Sequence, residues 1–416
     1  MRAAIQSSAG SEPCDVPGAL GIEPCGKRLP PLKSRDARME PTEPRTRTIL
    51  GQKSWALSCD GVSLAITERG GHLGPATFRV DARRIEPFAV APWWNESVSA
   101  PPILQVLRGD FFCMAFGGNE RSHRGERHDV HSETANRKWE WVRTARTREA
   151  ALIELRMRTR ARPGLVEKFV EIRKGHPAIY QRHLISGMSG RINPGHHAML
   201  RFRTGGLIST SPIRFGQVLP ERTEDPARGG YSCLRPGAEF ERLDCVPALD
   251  GSTADLSRYP AREGFEDIAL VSAAPSAFAW TAVTFPAEGW LWIGFKDPSV
   301  LASTLLWHSN GGRHYPPWNG RHRAVLGLEE ITAFFHKGIA ESVAPNSLSR
   351  RGIPTSLRLS PRRPTAINYL MAVVPIPKGF DHLERVERMD GMRVGLTARS
   401  GKSTSTTLDL DFLHER

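Results

Sequence analysis

Two adjacent carboxylates, Glu329 and Glu330, interrupt the otherwise apolar run 325–332, Val-Leu-Gly-Leu-Glu-Glu-Ile-Thr, which Ala333-Phe334-Phe335 continues. The β-branched and aromatic neighbours give this run the texture of an interior strand. Side chains alternate faces along a strand, so the two carboxylates cannot point the same way. One is expected to face solvent or a neighbouring sheet, and the other to sit in whatever concavity the sheet encloses. Burial there raises a carboxyl pKa unless a cation compensates, which is how proteins make a base that works near neutral pH. Glu329 is the candidate base. The plain alternative is a pair of solvent-edge glutamates.

Four other clusters place polar groups at the edge of apolar strands. In Leu107-Arg108-Gly109-Asp110-Phe111-Phe112-Cys113, Arg108 could clamp an anion or a sugar hydroxyl; an Arg-Asp pair across the turn is the structural alternative. Residues 125–136 hold His128, His131, Ser132 and Asn136, with Trp139 and Trp141 behind them. An aromatic plate beside hydrogen-bonding groups suits a sugar, which has apolar C–H faces and a rim of hydroxyls. His128 and His131 are spaced as metal ligands can be, but no Cys pair or H-E-x-x-H helix accompanies them, and no metal is expected. His196 and His197 leave a Pro-Gly turn together and enter a strand, so one imidazole must point inward; near an acid it is a natural general acid, and a hydrogen-bonded structural histidine is the alternative. Last, Trp307 and Trp318, with Arg313 and Arg321, lie on Gly-rich loops just before the Glu329 strand and resemble a carbohydrate rim, unless the tryptophans anchor a core.

These residues need a β framework. From residue 53 onward the chain is a succession of short strands punctuated by Gly and Pro, among them 62–67, 76–80, 103–107, 138–142, 151–157, 165–172, 179–185, 268–273, 277–285, 290–295, 303–307, 325–335, 356–359, 366–374, 392–398 and 406–412. Residues 221–266 read as a long polar excursion over one face, and 381–389 as a short helix. Residues 1–48 are too rich in Pro, Gly, Ser and Arg to bury a core and are expected to be a flexible tail, leaving 49–416 as one β domain.

With 416 residues and 39% apolar content the chain can build a large core. Its net charge of +13 raises nucleic acid as a partner, yet the charge is scattered over alternating strands without a basic helix, aromatic-basic motif or tail. Six cysteines without C-x-x-C pairing, no signal-peptide core and no run long enough for a membrane span give the expectation of a reduced, cytoplasmic protein, without nucleic-acid or membrane partner. Dinucleotide fingerprint, phosphate-binding loop and nucleophile elbow are absent from the sequence, which argues against dehydrogenases, P-loop enzymes and α/β-hydrolases.

Taken in order, the clusters resemble the galactose mutarotase-like superfamily, which includes aldose 1-epimerases and hexose-6-phosphate mutarotases. Residues 108–113 with Phe116-Gly117 resemble the Arg-Gly-Gly-Ile-Pro…Phe-Gly segment of the phosphosugar branch, and His131 with Trp139 its His-Gly…Trp segment. Gly195-His196-His197-Ala198 resembles the strand of the family's catalytic histidine, and Gly327-Leu328-Glu329 that of its catalytic glutamate. Departures are Ser132 for the Gly after the first His, and Ala135 for an Arg four residues after it, with Asn136 and Arg137 as imperfect substitutes. The family's substrate-binding Asp has no counterpart among Asp244, Asp250, Asp255 and Asp267. The resemblance implies a β-supersandwich that binds a monosaccharide or sugar derivative in a concave cleft, as monomer or weak dimer, without cofactor. It implies Glu329 and His197 as the catalytic pair, and Arg108, His131, Asn136, His196, Trp307, Trp318 and Arg321 as substrate contacts. A carbohydrate-binding protein that has lost catalysis is the alternative.

Overall fold

Period-two burial runs through the strands that carry the candidate residues. Leu305 and Trp307, Ile268 and Leu270, and Val325 and Ile331 enter one core; Leu306, Ala269, Leu326 and Leu328, from the same strands, enter another. A sheet apolar on both faces must be covered on both, and the other elements supply the covers. The computed structural model describes residues 44–416 and the backbone of Arg38–Met39, all within a unit spanning 37–416.

Two large antiparallel sheets dominate. The ten-stranded sheet runs Arg38–Met39, Glu140–Arg146, Ala150–Thr159, Gly164–Arg173, Ala178–Ser186, Thr365–Pro375, Trp290–Lys296, Ala279–Phe285, Gly206–Thr210 and Arg258–Tyr259. The eight-stranded sheet runs Glu239–Phe240, Ile213–Val218, Phe265–Ala273, Ser303–Asn310, Val325–Ile331, Gly195–His196 and Phe112–Cys113, with Ala198–Arg201 also paired to Val325–Ile331. One apolar core joins the two sheets and a five-stranded sheet beginning at Arg47–Ile49. A second fills the other face of the eight-stranded sheet, and a third packs the ten-stranded sheet against the meander Leu383–Arg388, Arg393–Ala398 and Ser403–Thr407. Each fully buried Leu or Phe in these layers contributes about 1.5–3 kcal/mol. This is the all-β supersandwich that was expected.

Three expectations need correction. Residues 102–106 form a short helix, α1 (Pro102–Val106), not a strand: Pro101-Pro102 sets the helical entry, and Asn136 Oδ1 accepts the N–H of Ile103 at 2.9 Å from outside the segment. Residues 383–388 are a strand of the meander rather than a helix, with only Leu383 fully buried. The tail expected over 1–48 lies outside the described residues up to 43, but its last residues do not belong to it, since Arg47–Ile49 pairs with Gln52–Cys59. Among the described residues, Cys59, Cys113, Cys233 and Cys245 are free thiols, and no helix is long and apolar enough to cross a membrane.

Candidate active site

The register of one strand pair builds the centre of the site. Gly195 is paired with Ile331 and Ala198 with Leu328, which sets His197 across from Glu329 and His196 across from Glu330. Alternation then separates the four side chains into two dyads on opposite faces. His197 and Glu329 point to the outer face, with Nε2 and Oε1 3.2 Å apart and both side chains almost wholly buried. Gly327, the neighbour of Glu329 on that face, leaves the space the carboxylate occupies: a Cβ there would lie 2.9 Å from Oε1.

His196 and Glu330 point inward, between the sheets. His196 donates Nδ1–H to Asp110 Oδ2 at 3.0 Å, Gln181 donates to the same oxygen at 2.6 Å, and Lys168 donates to Gln181 at 3.2 Å. Glu330 is paired with Lys296 and accepts from Thr304 at 2.7 Å. Both glutamates are therefore buried, Glu330 against the neighbouring sheet.

The outer dyad opens on a cavity of about 200 Å³. Its ring walls are Phe111, stacked on His197 at 4.5 Å, with Trp307 and Trp318 edge to face at 5.9 Å. His131 reaches it from the start of helix α2 (Ser132–Asn136), with its ring edge-on to His197 at 5.2 Å. His131 and Ser132 both have left-handed backbone, φ 57° and 62°, a conformation that non-glycine residues hold only when their surroundings enforce it. Here the Gly117 N–H donates to His131 Nδ1 at 3.3 Å, and His131 N–H to Gly117 O at 2.7 Å. A larger polar depression of about 320 Å³, lined by Lys53, Arg69 and Lys138, shares no lining residue with this cavity.

Burial controls the charges. It drives the His197 imidazole down to about 3 and the Glu329 carboxyl well above the ordinary range, with Arg313 only partly opposing the latter. Burial thus disfavours the charged form of each group. His131 and His336, also on the wall, are likewise held neutral by burial.

His336, Glu266 and Glu224 complete the site from outside the clusters picked out in the sequence, together with Arg313 from the carbohydrate-rim cluster. Arg313 lines the cavity, with its guanidinium 4.6 Å from the Trp318 ring centre and 5.2 Å from that of Trp307. It donates Nε–H to Glu224 at 2.5 Å, and Tyr315 donates to the other Glu224 oxygen at 3.0 Å. Glu266 accepts from Trp307 Nε1 and from Ser309 Oγ, each at 2.8 Å, and burial lifts it to about 7. Its sequence signal was present: it opens the apolar run 268–273, in the region where only aspartates were sought. Of those, Asp267 accepts from the backbone of Cys233 and Leu234, while Asp250 and Asp255 hold local turns.

The cavity thus gathers Glu329, His197, His131, Trp307 and Trp318 from the expected set and leaves out four others. Arg108 donates to the carbonyls of Val106, Ile49 and Leu50 and is consumed in tying down the end of α1. Asn136 spends its amide on Val130 and Ser132 and its oxygen on Ile103. His196 faces the interior, and Arg321 forks onto Glu96 at the surface. Ala135 is buried and Arg137 is paired with Glu133. His128 is held by Glu126 and Ser132, and among the described residues no group of side chains is arranged to hold a metal.

No protein-family model matches the chain, and no curated protein matches it in sequence. Solved structures do match its fold. A candidate aldose 1-epimerase from Escherichia coli K12 superposes with a TM-score of 0.53 at 12% identity, over 78% of this chain and 100% of that one. Another from Klebsiella pneumoniae gives 0.54 at 14%, over 78% and 80%. A galactose mutarotase related enzyme from Lactobacillus acidophilus gives 0.50 at 11%, over 77% and 97%. The chain has the galactose mutarotase-like fold.

Proposed function

We propose, from that fold and the outer dyad, that the protein binds a monosaccharide and interconverts its anomers as an aldose 1-epimerase does. The observation that carries the reading is the 3.2 Å approach of His197 to Glu329 on the wall of a cavity lined by Trp307 and Trp318. Ring opening of a cyclic aldose needs a base at the anomeric hydroxyl and an acid at the ring oxygen, both within hydrogen-bond reach of one hemiacetal. A carboxyl and an imidazole sharing one proton supply one of each in either arrangement. In the forward step Glu329, as carboxylate, takes the anomeric proton while His197, as imidazolium, protonates the ring oxygen. The C1–O5 bond breaks to the open-chain aldehyde, the C1–C2 bond rotates, and reversal closes the other anomer. No net proton is exchanged with solvent. Trp307 and Trp318 supply aromatic surface to the sugar C–H groups, and His131 a polar edge to a hydroxyl.

The test is anomer exchange followed by NMR with the full-length protein and the Glu329→Gln and His197→Asn variants. Each substitution is expected to lower the rate about a hundredfold or more, and unchanged rates in both would remove the assignment. Saturable binding without acceleration by the wild type would leave a carbohydrate-binding protein of the same fold.

A further inference from the structure

Resting on the reading of this cavity as a sugar site, we infer that its ligand is an uncharged, hydroxyl-poor aldose, a deoxy sugar rather than a fully hydroxylated hexose or a sugar phosphate. The first ground is the wall. Ile103 and Leu104 from α1, Leu107 just after it, Val130 from the segment before α2, and Ile268 and Leu305 from the sheet present aliphatic surface to the ligand. A hydroxyl set against that surface gives up its water hydrogen bonds without replacement, whereas a CH₂ or CH₃ there gains from burial.

The second ground is the supply of partners. With the outer dyad engaged at the anomeric hydroxyl and ring oxygen, the polar side-chain groups left on the wall among the described residues are His131, His336, Arg313 and the indole N–H of Trp318. Among the described residues, Arg313 uses only Nε, so its terminal nitrogens are free to donate to neutral hydroxyls at one edge of the sugar. α1 brings no polar side chain to the wall, only Ile103 and Leu104.

The third ground is charge. Among the described residues Arg313 is the only Lys or Arg on the wall, and it is already matched: Glu224 is 2.5 Å from its Nε and Glu266 4.0 Å. A phosphate brought to it would meet the Glu224 carboxylate, and such like-charge contact is the repulsion that interfaces use against wrong partners. The histidines do not compensate, because burial holds them uncharged.

The experiment measures binding of D-glucose, D-galactose, 2-deoxyglucose, 6-deoxygalactose and glucose 6-phosphate to the full-length protein by calorimetry, with anomer exchange of each sugar followed in parallel by NMR. At least one deoxy sugar is expected to bind about tenfold or more tighter than its parent hexose, and the phosphate to bind weakest. Leu104→Asn, which puts an amide on the half-buried part of the wall, is expected to narrow that ratio while the thermal melt shows a folded protein. Equal or tighter binding of the parent hexoses or of the phosphate, or an unaltered ratio in a folded Leu104→Asn, would overturn the inference; accelerated exchange in the same samples would leave the mutarotase reading standing. Tight deoxy-sugar binding without acceleration would uphold the substrate class and overturn that reading. No binding by any of the five would overturn both.

Discussion

Gly327 is the position at which the candidate base is most sensitive to a single atom. A Cβ there would lie 2.9 Å from Glu329 Oε1 and 3.1 Å from Trp307 Cβ, so either carboxylate or indole must move. Gly327→Ala is expected to lower anomer exchange about tenfold to a hundredfold with the melting curve little changed, because the side chain that yields sits at a cavity. An unaltered rate would mean that the carboxylate's position is not critical. At this scale the sequence was informative where alternation alone decides the outcome: Glu329 and Glu330 had to part, as did His196 and His197. It was uninformative about which polar groups were spare. Nothing in the local pattern reveals that Arg108 and Asn136 spend their hydrogen bonds on backbone, or that Glu224 and Glu266 converge on Arg313 from separate segments. Ser132 shows a third case: its φ of 62° requires the left-handed conformation that glycine adopts freely, and the substitution gave no hint that the backbone path was kept.

Helix α1 spans five residues, too few to stand alone, and its shape is imposed by Asn136 from α2. Asn136→Ala strands the Ile103 N–H and the carbonyls of Val130 and Ser132. It is expected to cost about 2–4 kcal/mol, read from the urea midpoint at unchanged m-value. It should also weaken sugar binding, because α1 forms one wall of the cavity; undiminished stability would show that water replaces all three contacts. The Ile-Leu-Gln-Val run of α1 was read as a strand because four residues cannot display a helical period, and the start cue of Pro101-Pro102 was outweighed by apolar texture. The 383–388 strand was misread for the converse reason: at the edge of a small meander its solvent-facing charges outnumber its buried positions, and no clean alternation survives. Long strands such as Ala150–Thr159 and Gly164–Arg173 are legible to within two residues at either end, since apolar residues alternate there with charged, more exposed ones.

The molecule as a whole buries an unusual number of imidazoles, and this sets its response to acid. Burial holds His72, His197, His322 and His336 at about 3 and His308 at about 4, against an ordinary value of 6.5. Between about pH 6.5 and those values the unfolded chain takes up protons that the folded chain refuses, so stability is lost as pH falls through that window. Glu266, lifted to about 7, and Asp267, lifted to about 6, act in the opposite sense. Their contribution is complete below their ordinary values and is lost as pH rises through 6 to 7. Each fully engaged group contributes at most about 1.4 kcal/mol per pH unit, and the five imidazoles, with His131 and His183 also held low by burial, outnumber these two acids and Glu329, which burial likewise raises. The urea midpoint is therefore expected to drop steeply between pH 6 and pH 5; a flat profile would mean that the imidazoles are reached by water. The layer between the sheets obeys a related rule. Removing one member of the Lys296–Glu330 pair, as in Glu330→Gln, leaves an uncompensated buried charge and is expected to cost about 3–5 kcal/mol, while the double change Lys296→Met with Glu330→Gln should cost less. Lineages carrying this architecture can therefore cross from the ionic interior to an apolar one only by coordinated steps. When relatives of this chain are gathered, positions 296 and 330 should vary together, whereas the cavity-lining residues of α1 should drift independently of them as ligand preference diverges.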